Sequence, residues 1–238
     1  MSENPLLPHR KLRELHALML RCRTLERKQK SDAAREALLA ATLMQLLPGD
    51  LLSATEGDVA AGQLAPAAKK PGVGSVVGGA AIDARLSLSA AAARGLQAAG
   101  SEGLVLAFAR AGGPEPGWMA ALEWAQEAQL PLILACADAT NGAAARSVKR
   151  REPALDFVSM SRLAKRLKLP TLTVDGEDAV AVYRVMQESV LRARQGGGPA
   201  VLWAVMTPAR SLATMPASCQ PIARLRSYVM ARKISLKA

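Results

Sequence analysis

LVLAFARAGGPEPGWMAALEWAQEAQLPLILACA, residues 104–137, holds two apolar runs, each closed by chain breakers. The runs are LVLAFA at 104–109 and PLILACA at 131–137. Neither alternates polar with apolar, so each suits a strand buried on both faces, as in a parallel sheet. The segment between them, about 118–129, reads as a connecting helix. Working outward, PTLTV at 170–174 is a third strand, preceded by a basic helix over 159–168. Asp175-Gly176 turns the chain into a helix over 177–195, with Val180, Tyr183, Met186, Val190 and Leu191 on its inner side. Gly196 to Pro199 stops that helix, and AVLWAVM at 200–206 is a fourth strand. Strands alternating with helices predict an α/β fold with a doubly wound, mostly parallel sheet and right-handed crossovers.

Upstream, Leu12, Leu15, Met19, Cys22 and Leu25 recur at helical spacing, so 12–30 is an amphipathic helix. Ser31 and Asp32 cap a second, more apolar helix with Arg35-Glu36 in its first turn, and Pro48-Gly49 ends it. The stretch 53–74 reads as a long loop and 75–79 as a short buried segment. Residues 87–99 form a small-residue helix closed by Gly100. One domain over 1–238 is expected, with a helix pair at 1–50, a loop-rich segment at 51–79, an α/β core at 80–206 and a basic tail at 207–238. The tail carries a short final helix.

The 238 residues are half hydrophobic and 3% aromatic, a globular composition poor in rings for stacking on bases. The net charge of +11 is clustered at 10–30, 146–168 and 208–238. Such charge suits a solvated surface, and also nucleic acid or an acidic protein partner. Cys22, Cys136 and Cys219 show no metal-ligand spacing. Cys136 reads as a buried thiol, and a cytoplasmic setting fits. No run approaches the roughly 18 apolar residues of a membrane span, and the charged amino-terminal stretch is not a signal peptide.

GVGSVVGG at 72–79 lacks both the P-loop ending and the GxGxxG spacing, so it reads as a turn. His9 and His16 both precede the sheet, and no GxSxG elbow accompanies them; His16 reads as an ordinary helix residue. Glu115 and Glu123 flank the turn after the first strand, and Asp138 ends the second. Asp138 stands where a metal or hydroxyl is held in such sheets, though a simple strand-end turn explains it as well.

The order of these segments resembles the alpha subunit of the thiamine-diphosphate-dependent 2-oxo acid dehydrogenases, the decarboxylating component. LMLRCRTLERK (18–28) is similar to the family's first helix, and AAREALLAATLMQLLPGDLLS (33–53) to the segment ending in Pro-Gly-Asp. The stretches 74–109 and 121–136 follow the family's pattern. The most specific match is RLAKRLKLPTLTVDGEDAVAVYRVMQESVLRARQGGGPAVL (162–202), where strand, Asp-Gly turn, helix and Gly-Pro stop fall in register. The resemblance implies a magnesium-binding Gly-Asp-Gly turn, a later Asn-Asn-Gly, a Tyr-Arg pair and loop histidines around the cofactor. Here Arg110-Ala111-Gly112 stands at the Gly-Asp-Gly place, so only Gly112 matches. Asn141-Gly142 keeps part of Asn-Asn-Gly, displaced by two residues. SATEGDVAAGQ (53–63) has no Tyr-Arg pair, and no histidine follows His16. Trp203 stands where the family tends to have glutamate.

On this reading Gly112, Asn141 and Gly142 are positional remnants of the cofactor site, with no catalytic residue and no metal ligand assigned. The expectation is a non-catalytic structural or assembly homologue with no bound cofactor, forming a homo-oligomer or pairing with a beta-type subunit. Two alternatives stand beside it. One is an active thiamine-diphosphate- and magnesium-dependent decarboxylase with a reorganised site that uses Asp138 or Glu115, with an anion held by Arg110. The other is a basic module for nucleic acid or an acidic partner.

Overall fold

The apolar runs become the centre of one sheet in a computed structural model, which describes residues 7–28, 34–54, 72–76, 85–112, 117–140, 154–208, 211 and 214–236. Its strands are β1 (Leu51–Ser53), β2 (Gly74–Ser75), β3 (Val105–Arg110), β4 (Leu132–Asp138), β5 (Thr171–Asp175) and β6 (Ala200–Val205). They lie in the order β2-β1-β3-β4-β6-β5, and every pairing is parallel. The helices are α1 (His9–Lys28), α2 (Glu36–Leu43), α3 (Arg85–Ala98), α4 (Trp118–Glu127), α5 (Phe157–Leu167), α6 (Ala179–Arg194) and α7 (Pro221–Ala231). The doubly wound α/β sheet inferred from the sequence is the observed one.

The absence of alternation in the strands has a direct cause, because successive side chains point to opposite faces and both faces are covered. Leu106 and Phe108 of β3 and Ile133 and Ala135 of β4 join a core built with α1, α2, α6 and α7. Val105, Ala107 and Ala109, with Leu132, Leu134 and Cys136, join a second core under α3, α4 and α5. The small residues Ala90, Ala93, Ala121 and Ala125 let α3 and α4 sit close to the second face.

All eight residues of α2 are buried, as expected of a helix apolar on every side. Two ion pairs join α1 to the start of α2. Arg23 engages Glu36, and Arg35 engages Glu26 at 2.8 Å. Burial pushes the Glu26 carboxyl above its ordinary range, against the opposing pull of Arg35. Burial likewise pushes the Cys22 thiol well up, so it stays protonated.

The Pro48-Gly49-Asp50 turn then feeds β1. Gly103 passes so close that an added Cβ would lie 2.4 Å from the Gly49 carbonyl oxygen. Asp50 is fully buried there and accepts from Leu47 N at 2.6 Å and Leu104 N at 3.0 Å. It also receives both Nη atoms of Arg194 from the end of α6, at 2.9 and 2.5 Å. A single carboxylate thus ties α6 to the entries of β1 and β3.

Several expectations are corrected. Among the described residues six strands form where four were read. β1 was missed because its three residues abut the stretch taken as a loop, of which 55–71 lie outside the described residues. Residues 74–75 are an edge strand, and Ser75 is exposed, so the buried segment read at 75–79 does not hold where described. α2 starts at Glu36 behind Arg35, which makes no side-chain cap, and it ends at Leu43, ahead of Pro48. Ser31 and Asp32 lie outside the described residues. α5 begins at Phe157, two residues early, because Asp156 caps it by accepting from Ser159 N at 2.7 Å. α6 begins at Ala179, capped by Asp178. Leu191 is exposed, one step beyond the inner face that Val190 occupies.

The tail differs most. A 3-10 turn (Ala217–Cys219) leads into α7, which buries Ile222, Leu225 and Val229 in the first core. Arg224 of α7 donates to Asp175 at 2.7 Å and lies 3.9 Å from Glu177 and Asp178. Burial alone would raise the Asp175 carboxyl, but the Arg224 hydrogen bond and the Glu177 amide outweigh it and hold it below its ordinary 3.8. Its stabilising contribution is therefore present above that ordinary value and is lost as pH falls through the lowered one. Asp175 is half exposed, so the contribution is small, about 0.2–1 kcal/mol. Asp175→Asn should flatten the acid limb of a urea-stability profile by that amount and leave the neutral limb's slope unchanged.

Candidate functional site

In an open parallel sheet, ligands gather outside the carboxyl ends of the strands where the winding direction reverses. Here that place lies between β1 and β3, since the chain passes from β1 outward to β2 and returns to β3 on the other side.

At the end of β1, Ser53 is buried. Arg85, in the first turn of α3, is 2% exposed and donates from Nη1 to the Ser53 carbonyl and hydroxyl, both at 3.3 Å. The Ser89 hydroxyl sits 2.8 Å from Ser53 Oγ and donates to the Arg85 carbonyl. Arg85 went unread in the sequence. Its signal was a cation in the first turn of a helix, the end where the macrodipole disfavours positive charge.

β3 ends in Arg110, followed by Ala111 and Gly112. Gly112 takes φ 74°, a left-handed turn that glycine permits. The Ala111 amide donates to the Ala137 carbonyl and the Gly112 amide to the Leu155 carbonyl, each at 2.9 Å. Leu155 itself is 1% exposed and belongs to the second core, against which Ala111 also packs. The turn after β3 is thus bonded to the segment that enters α5.

β4 ends in Asp138, which is 6% exposed. Its Oδ1 accepts from Thr140 N at 2.9 Å and Thr140 Oγ1 at 2.6 Å. Its Oδ2 accepts the indole N–H of Trp203, on β6, at 2.9 Å. Trp203 is fully buried and packs against Phe157 with ring centroids 5.7 Å apart. Both carboxylate oxygens of Asp138 are therefore engaged within the protein.

Magnesium holding a diphosphate needs several oxygens at octahedral positions. The described side chains at this edge do not fit that requirement: three donors already occupy Asp138, Ala111 carries no side-chain oxygen, and Arg85 and Arg110 bring guanidinium groups. Among the described residues no three His, Cys, Asp or Glu side chains cluster as a metal-binding group. Glu123 pairs with Arg166, tying α4 to α5, and His16 lies in α1 against Arg226 of α7. Of the sequence candidates, Gly112 and Asp138 end neighbouring strands, whereas Glu123 and His16 are engaged elsewhere. Glu115, Asn141 and Gly142 lie outside the described residues.

A second concavity, about 600 Å³, opens at the ends of β5 and β6 among Thr173, Asp175, Glu177, Thr207, Ser211 and Arg224. Glu177 accepts from Thr207 N at 2.8 Å there, and Arg224 faces the acids. Arg23, Arg35, Arg166, Arg194 and Arg224 all pair with acidic groups within the protein, so part of the basic excess serves the fold. No helix among the described residues is long and apolar enough to cross a membrane.

A family model described as "Dehydrogenase E1 component" matches residues 26–207. The alpha subunit of acetoin:2,6-dichlorophenolindophenol oxidoreductase from Bacillus subtilis is 43% identical over 44 residues, covering 18% of this chain and 13% of that subunit. Among solved structures, an enzyme from Mycobacterium smegmatis described as thiamin diphosphate-dependent superposes with a TM-score of 0.51 at 17% identity. That match covers 74% of this chain and 32% of the other. Benzoylformate decarboxylase from Polynucleobacter necessarius gives a TM-score of 0.50 at 10% identity, covering 71% and 32%. The chain thus spans about a third of the length of these solved relatives.

Proposed function

The chain belongs to the dehydrogenase E1 component family, and from that membership we propose that it is a non-catalytic, alpha-subunit-like assembly protein folded as a single domain. The observation that carries this reading is Asp138. At the strand end where a metal-binding oxygen is wanted, its carboxylate is held by Thr140 and by the buried indole of Trp203. Arg110 and Ala111 at the end of β3 point the same way, because a cation repels the metal and a methyl group cannot ligate it. Gly112, Asn141 and Gly142 are then remnants of a cofactor turn, and no thiamine diphosphate is bound. Thiamine chemistry depends on the protein holding and orienting the cofactor, so without those anchors there is no turnover.

What the fold retains is packing surface. Leu88, Trp124, Phe157, Val158 and Val205 are large apolar side chains left exposed. Exposed apolar area suits association with a second copy or with a beta-type subunit. Light scattering on a sizing column tests this. The expected mass is at least twice the chain's 25.0 kDa, alone or after mixing with a beta-type subunit. A monomer under both conditions would remove the assembly role.

A further inference from the structure

The carboxyl-terminal helix α7 docks on α1 through an unusual pair. Arg226 donates from Nε to Nε2 of His16 at 3.1 Å, across 210 residues of chain. His16 is only 7% exposed. An imidazole nitrogen accepts such a bond only while it is unprotonated. Once protonated, that nitrogen becomes a donor, and two cations face each other at hydrogen-bond distance, His16 on the buried side and Arg226 on the exposed side of the contact. We propose that His16 and Arg226 form an acid-sensitive latch, in which proton uptake by His16 releases α7 from α1.

The surroundings leave the latch unbuffered. From α2, Glu36 faces α1 but is engaged by Arg23. From α7, Arg224 is turned to Asp175, and Arg232 stacks over the Tyr228 ring at 3.8 Å. On α1, Arg13 is exposed one turn away, and Glu14 pairs with Lys11. Among the described residues, Arg226 is the one charge acting on the imidazole. Burial first, and then Arg226, hold His16 below its ordinary 6.5. A basic group depressed in this way contributes fully above 6.5 and progressively less as pH falls below it. That window is separate from the Asp175 window, which opens only in the acid carboxylate range. Release would free Ile222, Leu225 and Val229 from the core and withdraw Arg224 from the wall of the second concavity.

Hydrogen exchange of the full chain, read by mass spectrometry at about pH 7.5 and about pH 5.5 and corrected for intrinsic exchange, tests the latch across the histidine range. Protection of the peptide covering α7 should fall relative to β3 and β4, by up to about tenfold per pH unit, the limit for one proton. In His16→Gln, whose amide oxygen accepts at any pH, α7 should keep its protection. Should that variant not fold, Arg226→Gln serves instead, since an uncharged amide bonds either form of His16 and the acid sensitivity should shrink to the part that burial of His16 causes. Equal relative protection of wild-type α7 at both pH values would overturn the proposal. So would undiminished acid sensitivity in either variant.

Discussion

Asp50→Ala is expected to destabilise the protein by about 3–5 kcal/mol, the usual result of breaking a buried ion pair from one side. Asp50 is fully buried and receives four donors: two backbone amides and both ends of the Arg194 guanidinium. Alanine leaves Arg194 charged, 16% exposed and still bonded to the Glu102 carbonyl at 2.8 Å. The amides of Leu47 and Leu104 lose their partner at the same time. In a chain of 238 residues each kcal/mol moves the melting temperature by about 2–4 °C. Thermal denaturation should therefore show a drop of about 6–20 °C. A paired replacement, Asp50→Leu with Arg194→Met, should recover the part of the loss that comes from the uncompensated Arg194 charge, while the Leu47 and Leu104 amides stay without their acceptor. If Asp50→Ala alone lowers stability by less than about 1 kcal/mol, water reaches Arg194 and the tie is not the one described.

Trp203 is the second position with a large expected effect, and it bears on function. Trp203→Phe keeps a ring against Phe157 but removes the N–H from Asp138 Oδ2. That should cost about 1–3 kcal/mol, the penalty for an unmade bond to a buried polar group. Trp203→Ala adds a cavity and should cost about 3–5 kcal/mol. The ladder is read by urea denaturation. A Phe variant as stable as wild type would mean the indole does not secure the carboxylate. That would reopen Asp138 as a ligand.

The sequence disclosed the sheet because β3 and β4 are buried on both faces, which leaves an uninterrupted apolar run. The Asp-Gly turn was equally legible: Gly176 packs against β6, and its amide bonds to the Val205 carbonyl at 2.8 Å. What stayed hidden were contacts between distant residues. Asp138 looked available because Trp203 lies 65 positions away and only strand order brings them together. His16 looked ordinary because its partner is in the tail. The tail itself looked like surface charge because Arg224 and Arg226 are recognised as docking groups only once α7 lies across α1 and the β5–α6 turn. Arg85 announced itself only by an unfavourable helix position, a weak signal beside the glycines around it.

The proposed non-catalytic role requires that the carboxyl edge of this sheet hold no magnesium diphosphate. Titration calorimetry of the full chain with thiamine diphosphate and magnesium tests it directly. The expected result is no saturable heat up to millimolar ligand. Saturable binding in the micromolar range, weakened by Asp138→Ala, would contradict it and make the chain a working cofactor-binding subunit.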